Sequence, residues 1–268
     1  MILDSKCVLT YIAILCQGDW EAIATFLREK RKIDPQECLK TVSALPCRSV
    51  TIMEEEYPRE LRNARQPPFV LFYQGNLSLL DDAERCIALI GSGRDCEYGL
   101  AQGKRFAKTL ASEGATVISA ISKGVNEKVL SEALPFGRAV AVLANGVDVY
   151  YPAHCSALQR EIREKGLLVS EFPPQSKPGP KALAARNRAI ASLSSYVLVA
   201  STHQGDGTLS IVASALSQGR IVGAFPYRLD EDNVNNSLIL EGAEMITDPD
   251  DVLQHAGLKK KKSISINN

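Results

Sequence analysis

The sequence predicts an α/β fold: a Rossmann-like, doubly wound, mostly parallel sheet behind a small N-terminal all-helical module. Three observations predict it. From Arg85 onward, short β-branched runs alternate with helical stretches. Those runs are apolar on both faces, as strands covered on both sides by helices must be. Near the N-terminus, from Leu9 to Leu27, apolar residues recur at helical spacing. Right-handed crossovers between parallel strands then give the doubly wound arrangement.

The helical module is assigned to residues 1–56. Leu9, Ile12, Ala13 and Cys16 share one helix face, and Trp20, Ile23, Ala24 and Leu27 share another. Gly18-Asp19 separates the two runs, with Asp19 as the N-cap of the second. A third helix, Pro35 to Leu45, stops before Pro46. Residues 57–84 form a connector. Pro67-Pro68 forbids helix there, Phe69–Tyr73 reads as an edge strand, and Gly75-Asn76 as a turn.

The core spans 85–256. Its expected strands are Cys86–Ile90, Thr116–Ile121, Ala139–Leu143, Leu167–Ser170, Tyr196–Ala200 and Ile221–Phe225. The expected helices between them are Tyr98–Ser112, Val125–Leu134, Ser156–Lys165, Lys181–Leu193 and Thr208–Gln218. Residues 257–268, with Lys259 to Lys262, have no core to join and read as a flexible basic tail.

Composition narrows the function classes. The 268 residues carry Lys+Arg 31 and Asp+Glu 31, so any basic surface is local. A 45% hydrophobic share excludes disorder throughout. No run of ~18 apolar residues offers a membrane span. The seven cysteines are scattered singly and match no zinc spacing, which reads as reduced thiols in a cytoplasmic protein.

In a parallel sheet ligands bind beyond the strand carboxyl ends, so the segments that follow each strand carry the chemistry. Gly91-Ser92-Gly93-Arg94 joins glycines, which let backbone approach a phosphate, to a guanidinium that can grip it with two N–H groups. The dinucleotide reading fails here. The third glycine position is Cys96, and the second strand ends Ser119-Ala120 with no carboxylate for a ribose. Lys123-Gly124 repeats the pairing of a cation with a turn glycine. Arg186-Asn187-Arg188 sits in a stretch with no acid between Glu171 and Asp206, which makes a local positive field. Gly207-Thr208 opens another helix and presents N–H and hydroxyl donors.

These stations sum to a phosphate-binding rim. No Ser/His/Asp set, metal cluster or paired carboxylates stand at the strand ends, so no catalytic residues, metal or cofactor are expected. Glu171 is the one well-placed carboxylate, and a structural hydrogen bond is an equal reading of it. His154 reads as a residue of a helix start, and Tyr150 and Tyr151 as packing for the next helix, with stacking on bases as the other reading.

With these residues in view, Tyr57 to about Leu253 resembles the DNA-processing protein family DprA/Smf. The matching blocks run in order: YPRELRNARQPPFVLFYQGNLSLL, IALIGSGR, VISAISKGVN, AVLANGVDVYYPAH, GLLVSEFPP, ARNRAIASLS, GTLSIVASALSQGR and NNSLILEGAEMITDPDDVL. The resemblance implies a Rossmann-like core that binds single-stranded DNA at this sheet rim, forms a homodimer and helps load a RecA-type recombinase during natural transformation. It maps DNA contacts to Arg94, Lys123, Arg186 and Arg188, with glycine loops at Gly91, Gly93 and Gly207. The chain departs from the family pattern in places. Ser119-Ala120-Ile121-Ser122-Lys123-Gly124-Val125-Asn126 replaces the usual S-G-x-A-x-G-I-D, and Leu130 replaces a histidine. No aromatic precedes Arg186, Ile211 stands where a threonine is usual, and no winged helix follows Leu253.

Two other readings stand beside a non-catalytic single-stranded DNA binder. One is an interaction or regulatory module with a degenerate pocket. The other is a nucleotide phosphoribohydrolase-like enzyme. For the latter, Gly205-Asp206-Gly207-Thr208 is similar to the P-G-G-x-G-T-x-x-E motif, but Ile211 holds the glutamate position.

Overall fold

The computed structural model describes residues 4–94 and 96–259. Three helices come first: α1 (Ser5–Leu15), α2 (Trp20–Arg28) and α3 (Pro35–Ser43). Each starts at an aspartate whose carboxylate takes a leading backbone N–H. Asp4 accepts from Lys6, Asp19 from Ala22 at 3.0 Å, and Asp34 from Gln36 at 2.8 Å. Such caps contribute ~1 kcal/mol each. Strand β1 (Arg48–Thr51), the short α4 (Arg59–Arg62) and β2 (Val70–Gly75) follow.

The core then alternates strand and helix. The order is β3 (Cys86–Gly91), α5 (Glu97–Ser112), β4 (Thr116–Ala120), α6 (Val125–Ala133), β5 (Ala139–Leu143), α7 (Ser156–Lys165) and β6 (Leu167–Ser170). It continues through α8 (Pro180–Ser192), β7 (Tyr196–Ser201), α9 (Gly207–Ser217), β8 (Ile221–Ala224), α10 (Asn235–Leu240), β9 (Glu244–Met245) and α11 (Pro249–His255).

Among the described residues nine strands make one sheet, in the order β1-β2-β6-β5-β4-β3-β7-β8-β9. β1 and β2 are antiparallel to their neighbours, and every pairing from β6 to β9 is parallel. After β3 the chain builds outward through β4, β5 and β6, then crosses back to lay β7 on the other side of β3. The reversal falls between β3 and β7. There the outgoing loops diverge and leave a crevice at the carboxyl ends.

Burial follows the pleat. Ile87 and Leu89 of β3 pack under Phe106, Leu110 and Val129 on one face. Ala88 and Ile90 pack under Ile190, Val212 and Ala215 on the other. Both faces are therefore covered, as continuous apolar strands require. A third apolar cluster joins Leu9, Ile12 and Ile23 of the N-terminal helices to Val70 and Phe72 of β2.

Two expectations need correction. The N-terminal segment is not all-helical, because Arg48–Thr51 is a strand paired with Val70–Tyr73. Consequently Phe69–Tyr73 is not at an edge: β2 lies between β1 and β6. Four residues of mixed polarity carry too little periodicity to declare β1, and long-range pairing supplies what local pattern lacks. The expected tail is described only to Lys259, whose ammonium lies 2.8 Å from Asp250 and 3.9 Å from Glu113. The remainder of that tail, Lys260 to Asn268, lies outside the described residues. Among the described residues no helix is long and apolar enough to cross a membrane.

Candidate nucleic-acid interface

Because β3 to β8 run parallel, the loops after β3, β4, β5, β6 and β7 share one rim of the sheet. Three of them are tied directly together. The loop after β3 bonds to the end of β7 through Ser92 N–H to the Ser201 carbonyl, 2.9 Å. The turn after β4 closes on the same loop. Gly124 has φ +88, and a Cβ there would stand 2.6 Å from the Ser92 carbonyl oxygen and 3.0 Å from Gly93 Cα. Only glycine fits so close an approach at that φ. Asn126, inside α6, holds both strand ends. Its Oδ1 accepts from Gly91 N–H at 2.9 Å and from the Ser119 hydroxyl at 3.3 Å.

The loop after β7 joins this arrangement through a polar knot. His203 Nδ1 lies 3.2 Å from Ser92 Oγ and 3.3 Å from Asp206 Oδ2, and His203 N–H donates to that same carboxylate at 3.0 Å. Burial pushes the Asp206 carboxyl up, but hydrogen bonds from Ser92 and His203 outweigh it and hold its pKa below the usual value. Asp206 offers no side-chain cap to α9, so the leading N–H groups at Gly207 stay available. Gly207 itself is exposed, whereas Thr208 is buried, with only 6% of its surface open.

The expected cations divide into three situations. Arg94 projects from the rim 57% exposed, with Asp206 at 3.7 Å. At 3.7 Å, with the arginine more than half exposed, such a contact is worth little and leaves the guanidinium free to turn to a phosphate. Lys123 is exposed, and Arg186 is half-buried; both line a cleft of ≈ 260 Å³ with Asn145, Tyr151, His154 and Leu183. Among the described residues no carboxylate pairs with Lys123 or Arg186. Burial lowers the Arg186 pKa to about 10, which leaves it charged at neutral pH. Its Nε donates to Asn187 Oδ1 at 2.8 Å, and the amide of Asn187 donates to the Gly207 carbonyl at 3.4 Å. Asn187 is therefore a buried tether between α8 and the start of α9 rather than an outward donor.

Arg188 departs furthest from the expected pattern. Its guanidinium donates to Glu171 Oε2 at 2.9 Å, with the carboxylate side chain only 6% exposed. Arg188 thus closes the inner wall of a second cleft, ≈ 610 Å³, between the α1–α2 junction and α8. The structural reading of Glu171 is the one that holds. Burial pushes its carboxyl up to about 7, and Arg188 offsets part of that rise. Wild-type protein should therefore lose stability relative to Glu171→Gln as pH rises from about 4.5 to about 7. Over that range the folded carboxyl keeps a proton that the unfolded one has released, an effect of at most about 3 kcal/mol. Thermal midpoints of both proteins across the range measure it, and a gap independent of pH contradicts the assignment.

One further group deserves a metal test on chemistry. Glu127, His154 and Cys155 bring ligand atoms within 4.8 Å of one another. Lys128 already holds Glu127 at 3.0 Å, and burial pushes the Cys155 thiol up to about 11. An ion would have to displace both the lysine and the thiol proton.

His203, Asp206 and Asn126 are the site residues that sequence reasoning missed. A histidine and an aspartate three apart in a loop carry no signal until the loop is folded. Asn126 did have a signal, because it occupies the aspartate position of the G-I-D block.

Comparison with known proteins agrees with this architecture. The profile of the family described as DNA recombination-mediator protein A matches residues 48–257. DNA processing protein DprA of Streptococcus pneumoniae is 32% identical over 234 residues, covering 86% of this chain and 81% of that protein. Protein Smf of Escherichia coli is 34% identical over 205 residues, covering 75% of this chain but 54% of its own length. Among solved structures, S. pneumoniae DprA superposes with TM-score 0.77 at 29% identity, covering 93% of this chain and 94% of that one. DNA processing protein A of Helicobacter pylori, whose structure concerns its single-stranded DNA binding mode, gives TM-score 0.72 at 26% identity, covering 79% and 96%. On the profile match, the identities and the two superpositions together, this chain belongs to the DNA recombination-mediator protein A family.

Proposed function

We propose that this protein binds single-stranded DNA without catalysis, along the rim formed by the loops after β3, β4 and β7, and that it assists recombinase loading during DNA uptake. The observation that carries the reading is convergence. Gly91–Arg94, Lys123-Gly124 and Gly207 are drawn together by the Ser92, His203, Asn126 and Asn187 hydrogen bonds, and Arg186 stands beside them. Exposed cations, glycine backbone and a helix N-terminus at one crevice fit a phosphate chain. The cleft of ≈ 260 Å³ beside Lys123 and Arg186 offers Tyr151 and Leu183 for apolar contact with a base. Arg188 and Thr208 are left out of the direct contacts, and Asn187 acts by positioning. Sequence preference should be weak, since phosphates carry no base information.

Membership of a recombination-mediator family and the single-stranded DNA mode of the H. pylori relative support the substrate. Family resemblance is also what supports a RecA-type partner. The enzyme alternative is disfavoured by Ile211. It is 3% exposed, inside α9, where the phosphoribohydrolase motif needs a carboxylate. A filter-binding titration with oligo-dT at low salt tests the proposal. Saturable binding that weakens with added salt is expected, and no binding at low salt favours the empty-pocket alternative.

Dimerisation belongs to the same proposal. Strand β9 ends the sheet, and the elements that close this end leave Leu216 61%, Ile221 41%, Leu240 88% and Met245 60% exposed. Large apolar side chains beside a strand that, among the described residues, ends the sheet suit a self-complementary contact. Light scattering should find a dimer at micromolar concentration and a monomer for Leu240→Glu/Met245→Glu. A monomeric wild type, or a dimeric variant, contradicts this surface.

A further inference from the structure

The N-terminal helices bring two thiols together away from the rim. Cys7 on α1 and Cys38 on α3 have their Sγ atoms 3.5 Å apart. Cys38 is fully buried, and its thiol also points at the Cys7 carbonyl oxygen, 3.7 Å away. Cys7 is half-buried and so open to a small solute. Among the described residues no other two cysteine sulfurs come within hydrogen-bonding reach. A disulfide needs an S–S separation of about 2.05 Å, so the pair lies about 1.5 Å from bonding distance.

We propose that Cys7 and Cys38 form a dithiol that a hydroperoxide oxidises to an intramolecular disulfide, linking α1 to α3. The Cys7 sulfur, deprotonated, attacks one peroxide oxygen. The O–O bond breaks, water leaves after protonation, and Cys7 becomes a sulfenic acid. Cys38 then loses its proton to solvent and its sulfur attacks the Cys7 sulfur. The S–O bond breaks, and the departing hydroxide takes up a proton as a second water. Two thiols and one hydrogen peroxide thus give one disulfide and two waters. Each sulfur gives up one electron, and the peroxide accepts both. The order of events follows from the structure. Cys7 is the accessible sulfur, while Cys38 is fully buried and burial raises its thiol pKa, so Cys7 meets the peroxide first.

The link would close the segment that carries α2 into a loop and pin α3 against α1, whose Leu9 and Ile12 pack on Val70 and Phe72. Constraining the unfolded chain in this way raises thermal stability.

The test uses the full chain, reduced, freed of reductant and treated with hydrogen peroxide. Peptide mapping without reductant should recover the peptide holding Cys38 joined to the one holding Cys7, about 2 Da lighter than the two thiol peptides combined. Cys7 and Cys16 share a tryptic peptide, so fragmentation spectra, or the same result in Cys16→Ser, assign the link. Dithiothreitol should release it, Cys7→Ser and Cys38→Ser should each abolish it, and the oxidised protein should melt several degrees higher. Three outcomes overturn the proposal: Cys7 oxidised onward to sulfinic acid with Cys38 still a thiol, a link through Cys16, or a disulfide between two chains.

Discussion

Alanine at Arg94, Lys123 and Arg186 together should lower oligo-dT affinity by roughly 100-fold or more at low salt, with the fold unchanged. Each of these cations would make a charge-assisted hydrogen bond to phosphate, worth about 1.5–3 kcal/mol, and three losses compound. Arg94 and Lys123 hold nothing in the core, and Arg186 reaches it only through one hydrogen bond to Asn187. Arg94 is 57% exposed with one distant carboxylate, and Lys123 and Arg186 have no ion-pair partner among the described residues. The slope of log affinity against log salt should also flatten, by about 0.7 for each phosphate contact removed. Filter binding at several salt concentrations gives both quantities. The matching change at Arg188 should behave otherwise. It leaves buried Glu171 without its partner, so the melting temperature falls while the salt slope stays. A triple variant with wild-type affinity and slope would remove the rim from consideration.

Gly124→Ala should have the largest effect of any single methyl addition at the site. The residue sits at φ +88, and its new Cβ would meet backbone, the Ser92 carbonyl oxygen at 2.6 Å, which cannot swing aside as a side chain could. Strain at that φ and the enforced parting of two loops together cost roughly 2–4 kcal/mol. Parting them also carries Lys123 away from Gly93, so oligo-dT binding should weaken along with stability. Gly114→Ala is the control. Its φ is +94, but nothing lies within 4 Å of the added carbon, so it bears the conformational strain alone. Melting curves and oligo-dT titrations of the two variants separate strain from contact. Equal losses in both would mean that the approach of the β4 turn to the β3 loop is unimportant.

Much of the architecture is legible in local pattern, and the exceptions are instructive. Ala139–Leu143, Ser156–Lys165 and Leu167–Ser170 are observed with the expected limits. Arg138 precedes the first, Gly166 separates the other two and Glu171 follows the last, so pattern and boundary agree there. The helix expected at Lys181–Leu193 begins one residue earlier, at Pro180, because proline is well suited to a first helical position. β1 and β9 were not legible. β9 is two residues long and exists only as a partner of β8 at Gly223 and Ala224.

The site divides in the same way. Glycine turns after parallel strands announce themselves, since φ above zero and close backbone approach leave few alternatives to glycine. Which cations remain open to a ligand is a different matter, because it depends on partners distant in sequence. Arg188 reads as well as Arg186 in the chain. Only folding sets Glu171, 17 residues away, against one and leaves the other beside Lys123. The knot of Ser92, His203 and Asp206 likewise joins positions 111 residues apart.

A crystal structure of the protein with oligo-dT would show whether the strand follows this rim. Successive phosphates are expected within hydrogen-bond reach of Arg94, Lys123, Arg186 and the Gly207 N–H, above the crevice between β3 and β7. A strand lying across the helical faces, or on the rim formed by the amino ends of the parallel strands, would contradict it.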